Sequence, residues 1–276
     1  MASILDRYGI KEVADVTFCK INEDGTRGAP VLYLDTLKVS TIEQTAETSE
    51  ARGGKGNPKL VSWDYGKEIT VSLEDALFSA KSMSLMFGDG TTPDEVTGTI
   101  TRTSVMRVTD GVDHFVADMT GENGATRVKV WLGAVPAGQD GVSFDNVVSK
   151  LGSVEIYDEK SAKIGTISKA SDWTTLENSV SGKVFVTYTL SAKSRTISIS
   201  GDSFPGTYYI VGDTYARSDV TGEDQFFQFI IPKAKVTSEN TITLEAEGDP
   251  SVFNMSLTVL RPDDGVMMKL VQYTLA

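Results

Sequence analysis

Runs of β-branched, aliphatic and aromatic residues, cut at short intervals by Gly, Asp, Asn and Pro, fill most of this chain and confine it to a fold made mainly of strands. The pattern is most regular in the last third, over residues 195–200, 207–215, 225–231, 240–246, 255–260 and 266–273. Residues 219–224 and 262–265 carry the Gly and Asp that tight connections need, so these runs are predicted to form a meander of hairpins. Further strands are expected over 16–21, 31–42, 67–73, 97–108, 127–132, 154–157 and 183–190.

Two stretches break the alternation. Over 43–64 it fails, and Arg52, Gly53, Gly54, Lys55, Gly56, Asn57 and Pro58 suit neither a regular helix nor a central strand. This predicts a long loop, and structureless loops beyond roughly 12–15 residues usually have a binding role, so a partner surface is expected for it. Over 74–87 the period changes to that of a helix, with Leu73, Ala76, Leu77, Ala80, Met83 and Phe87 on one stripe. Ser72 is the expected N-cap, Glu74 and Asp75 suit the first turn, and Gly88 suits the position past the end. Residues 110–181 are richer in Gly, Ser and Asp than their flanks. We therefore expect one β core from 1–109 and 182–276, with 110–181 as an inserted or peripheral β-rich region.

An apolar fraction of 40% and a charged fraction of 23% over 276 residues are those of a chain that packs a core. A net charge of −12 argues against wrapping nucleic-acid phosphates, which calls for clustered Lys and Arg. Plain solubility accounts for the acidity, and so does a surface past which DNA slides without sticking. The single cysteine, Cys19, excludes an intrachain disulfide and reads as a small buried apolar residue. No signal peptide and no apolar run long enough to span a membrane is legible, so maturation in a cytoplasm without a membrane anchor is expected.

Catalytic signals are lacking. The one histidine, His114, stands beside Asp113 with no second His or Cys to build a triad or a zinc site. The Gly-rich stretch around Lys55 fails as a phosphate loop because Gly56, Asn57 and Pro58 follow the lysine in place of Ser or Thr and a helix. We assign no catalytic, cofactor-binding or metal residue, and expect no cofactor and no enzyme activity.

Two blocks carry a resemblance. Residues 50–78, with the Gly-rich stretch and Trp63, Asp64 and Tyr65, resemble the first half of phage major tail tube proteins. Residues 204–212, 226–236 and 245–253 resemble their C-terminal half, so the likeness covers about 30–90 and 195–275 and leaves the middle unmatched. It implies two packed antiparallel sheets in a tail-tube-like β-sandwich or barrel, with one flanking α-helix. It further implies hexameric rings stacked into a tube in the virion tail, through whose lumen DNA passes without specific binding. Self-association is the main partnership expected, with sheath, baseplate, tape-measure or tail terminator proteins as others. On this reading the inter-ring contacts fall to Arg52, Gly53, Gly54, Lys55, Gly56, Asn57 and Pro58. Contacts around a ring fall to the strands holding Tyr208, Tyr209, Ile210, Phe227 and Phe229. The competing readings are a capsid decoration or baseplate protein, and a carbohydrate-binding or adhesion module suggested by Trp131, Trp173, Tyr208 and Tyr209.

Overall fold

The computed structural model describes residues 7–10, 12–88, 91, 93–108, 113–119, 127–176, 180, 182–237 and 252–273. The chain divides into two compact units, Met1–Pro93 with Thr196–Ala276, and Asp94–Arg195. The first opens with β1 (Tyr8–Ile10), β2 (Asp15–Ile21), β3 (Arg27–Leu34), β4 (Leu37–Arg52), β5 (Lys59–Asp75) and α1 (Ala80–Phe87). The second holds β6 (Val96–Val108), β7 (His114–Ala117), β8 (Val128–Trp131), β9 (Val142–Ser143), α2 (Phe144–Val147), β10 (Leu151–Tyr157), β11 (Lys163–Ile167), α3 (Ala170–Leu176) and β12 (Gly182–Ser194). The chain then returns to the first unit with β13 (Thr207–Ser218), β14 (Asp224–Val236), β15 (Phe253–Val259) and β16 (Lys269–Tyr273).

The fold is mainly β, as the alternation requires. In the first unit a nine-stranded sheet runs β3-β2-β13-β14-β15-β5-β4, with β1 added to β13 and β16 to β14. Its two terminal strands, β3 and β4, are joined by only Asp35 and Thr36, so the ends of the sheet lie close together and the sheet must curl almost fully around. One face of every main strand turns inward onto a shared core. Val16 and Phe18 meet Ile69, Val71, Leu73, Ile210, Phe229, Ile231 and Leu257 there. Helix α1 closes this core with Leu85 and Met86.

Three local expectations need correction. The helix starts at Ala80, not near Glu74, because β5 continues to Asp75 with backbone partners on both edges, Ser72 facing Thr41 and Ser256. Leu73 fits the two-residue spacing of Ile69 and Val71 as well as the helical stripe, and sheet pairing decides between them. The cap is Ser79: its Oγ accepts from the Ser82 N–H at 3.0 Å, and its own N–H donates to Ser82 Oγ at 2.9 Å. Leu77 is left exposed. The strand expected over 31–42 is two strands, broken where Thr36 Oγ1 and the Leu77 N–H both donate to the buried Asp75 carboxylate. Residues 195–200 form no strand, since no neighbouring backbone pairs with them and Ile199 is exposed. The strand expected over 240–246 lies outside the described residues.

The second unit has its own core. A four-stranded sheet, β11-β10-β12-β6, and a three-stranded one, β7-β8-β9, bury Met106, Phe115, Phe144, Ile156, Trp173 and Tyr188. Indole Nε1 of Trp173 donates to Asp113 Oδ2 at 2.9 Å, and the Tyr188 hydroxyl accepts from the Asp118 N–H at 2.7 Å, so the buried polar atoms of both rings are satisfied. The compact unit Asp94–Arg195 extends beyond 110–181 on both sides. Strands β6 and β12 pair with each other from Val96↔Ser194 to Val108↔Gly182, and β12 also pairs with β10, which ties both flanks into this unit.

Candidate assembly interface

The segment expected as a long loop is a hairpin arm. Strand β15 flanks β5 only from Thr70 to Asp75, so beyond Ile69 the two strands β4 and β5 pair, among the described residues, only with each other. Nine residues of β4, from Gln44 to Arg52, thus project as a free ribbon about 30 Å long at ~3.3 Å per residue. The Gly53 N–H donates to the Pro58 carbonyl at 3.2 Å and the Asn57 N–H to the Gly54 carbonyl at 3.1 Å, closing the tip. Gly54, Asn57 and Gly56 take positive φ there. Arg52, Gly53, Gly54, Lys55, Gly56, Asn57 and Pro58 are thus brought together at the far end of the arm, as a turn on a ribbon.

The arm has two unlike faces. Thr45 pairs with Glu68 and Glu47 with Tyr65, so β5 carries one extra residue at Gly66, whose φ is 60°. On the core side of that bulge Ile69, Val71 and Leu73 are buried; beyond it every residue of β5 is exposed, Val61, Trp63 and Tyr65 among them. Register places Ala51, Ser49 and Glu47 beside those three. The opposite face is polar, with Thr48 Oγ1 donating to Asp64 Oδ1 at 3.0 Å. At the tip Glu50 accepts from Arg52 at 2.7 Å and also pairs with Lys59; with Lys55 nearby, cations outnumber carboxylates.

The strands expected to join subunits around a ring are paired on both edges within the chain. Both edges of β13 are used, one by β14 and the other by β2 and β1; both edges of β14 are used too, one by β13 and the other by β15 and β16. Tyr208, Ile210 and Phe229 are buried in the core. Tyr209 stands opposite Cys19, and Phe227 opposite Thr214 and Gln272; both are half-buried. Among the described residues of this unit the strands with a single partner, and so with one open edge, are β1, β3, β4 and β16.

A second exposed surface escaped the sequence reading. Tyr215, Phe226 and Tyr273 stand in register on three adjacent strands, with ring centroids 5.4 Å and 5.2 Å apart and the last pair stacked. In the next row of this ladder Arg217 donates to both Asp224 oxygens, at 2.7 and 2.8 Å. That hydrogen bonding, with the guanidinium charge, holds the Asp224 carboxyl below its usual range and raises Arg217. In the row on the other side Gln228 Nε2 donates to Asp213 Oδ1 at 2.6 Å. An open groove of about 330 Å³ runs beside the ladder, lined by Gly9, Glu12, Tyr215, Arg217 and Asp224.

The chemistry-bearing residues are used in packing. Cys19 is buried in β2 and its sulfur accepts from Arg27 Nε at 3.3 Å. His114 lies against the Trp131 ring, centroids 4.4 Å apart. Among the described residues no group of three or more His, Cys, Asp or Glu is placed to hold a metal ion, and no helix is long and apolar enough to cross a membrane. Trp131, Trp173 and Tyr208, weighed above as glycan-facing aromatics, are buried.

The first unit is thus a curled β-sheet around an apolar core, bearing a long arm that pairs with no further strand among the described residues. The model of the YomU/Tube protein family matches residues 8–120 and 138–272, and the chain belongs to that family, one of phage tube-like structural proteins rather than of enzymes. The match extends well into Asp94–Arg195, so the middle of the chain, unmatched in the sequence reading, is part of the family pattern. No curated protein matches the chain.

Proposed function

We propose that the protein is a subunit of a phage tail tube, built as hexameric rings stacked into a conduit through which DNA leaves the virion. The observation that carries this reading is the arm. A two-stranded ribbon is marginally stable by itself in water, and this one exposes Val61, Trp63 and Tyr65 along one face. Such a ribbon is completed by a surface on another subunit, and the tip residues Arg52 to Pro58 are the part that reaches furthest toward the next ring. The free edges of β1, β3, β4 and β16 take over the contacts around a ring. A net charge of −12 favours a lumen that repels DNA phosphates. Sheath, baseplate, tape-measure or terminator proteins would meet the assembled tube.

Negative-stain electron microscopy tests the reading, with hollow tubes or six-fold rings expected from purified protein. A variant in which a two-glycine turn replaces residues 47–65 should keep its β-sheet circular dichroism and lose tube formation. Native protein that stays monomeric at high concentration would count against the reading, as would an armless variant that still polymerises.

A further inference from the structure

Two apolar surfaces left open in the first unit match each other. One is the arm's Val61, Trp63 and Tyr65; the other is the ladder Tyr215, Phe226 and Tyr273. Both are open to solvent in the same chain, so the arm does not lie on its own ladder. We propose that the arm of one subunit docks across the aromatic ladder of a second copy, with Trp63 as its anchor beside the groove at Tyr215. This rests on the tube reading above and names the surface that receives the arm.

Three observations select a second copy's arm as the occupant. Residues two apart on a strand lie about 6.7 Å apart, so Val61, Trp63 and Tyr65 form a row about 13 Å long. The ladder presents three rings at 5.4 and 5.2 Å spacing, a row of comparable length, which lets aromatic faces meet in offset or edge contacts. Charge agrees as well. The arm tip sets Arg52, Lys55 and Lys59 against Glu50, whereas the rows beside the ladder set Glu12, Asp213 and Asp224 against Arg217. A cationic tip thus meets an anionic border. Finally, a Trp in a part-desolvated groove is the residue type that most often dominates an interface.

The protein supplies its own reporter. Of three tryptophans, Trp63 is 56% exposed while Trp131 and Trp173 are 5% and 2% exposed. Acrylamide quenching of the free subunit therefore reads Trp63, and that quenching should be lost on assembly. Cys19 is buried, so Val61→Cys and Val271→Cys, the latter on the ladder face next to Tyr273, add the reactive thiols for a short bismaleimide. A mixture of the two single variants should give a covalent dimer when assembled and none when dispersed. Tyr215→Ala with Tyr273→Ala, and separately Trp63→Ala, should each raise the subunit concentration needed for assembly about tenfold or more, with native-like circular dichroism. Tubes that form without the 61–271 cross-link, or that form normally in the ladder variant with Trp63 still protected, would overturn the docking site and leave the tube reading standing. Protein that never assembles would overturn both.

Discussion

Gly212 stands directly opposite Phe229 on the core face of β13 and β14, and a Cβ there would overlap the phenyl ring. The ring of Phe229 lies over the bare backbone, which makes room for an aromatic in the row that also holds Val16 and Leu34. Gly212→Ala should therefore force Phe229 out of its place and destabilise the unit by about 1–3 kcal/mol; denaturant unfolding with an unchanged slope is the measurement. Single residues also mark where the sequence could have been read further. Val61, Trp63 and Tyr65 alternate with Ser62 and Asp64, a two-residue period that signals strand, but the neighbouring Gly-rich stretch and the polar run of β4 masked it. Trp173 could not be told from a surface aromatic, because what buries it, Asp113 among the groups, comes from segments far away in the chain.

Among the elements, those with one face on a core were legible and those without were not. Strand β15 alternates buried and exposed or half-buried residues along its whole length, and its place in sequence was read to within a few residues. The arm strands have solvent on both sides over most of their length, so burial imposes no alternation, and the distal half of β4 carries no apolar residue larger than alanine. The start of α1 was misplaced for a related reason. Short windows such as 69–77 satisfy a helical and a strand period together, and only the partners on both edges of β5 decide between them. The capping box at Ser79 holds the true start, so Ser79→Ala should cost about 1 kcal/mol in unfolding free energy while leaving the sheet signal in circular dichroism intact.

At the scale of the whole molecule, two compact units with separate apolar cores share one chain. The first and last strands of the second unit pair where Val96 meets Ser194, so its two chain ends lie side by side. A fragment Asp94–Arg195 is therefore expected to fold alone, with cooperative thermal unfolding and blue-shifted emission from Trp131 and Trp173. A broad, non-cooperative transition would mean that this core depends on the rest of the chain. Sequence alone determined that the chain is mainly β, where most strands and turns fall, and that it is acidic. Those properties are local: they follow from side-chain period, turn chemistry and charge. Which strands are central and which are edges was decided only by the tertiary structure. Strand β13 is enclosed because β2, some 190 residues earlier, pairs with it, as at Tyr209↔Cys19, while β4 is an edge because no second strand among the described residues pairs with it. Side-chain pattern records which face is buried, whereas an unpaired backbone edge or an unmet aromatic face depends on what the rest of the chain leaves uncovered.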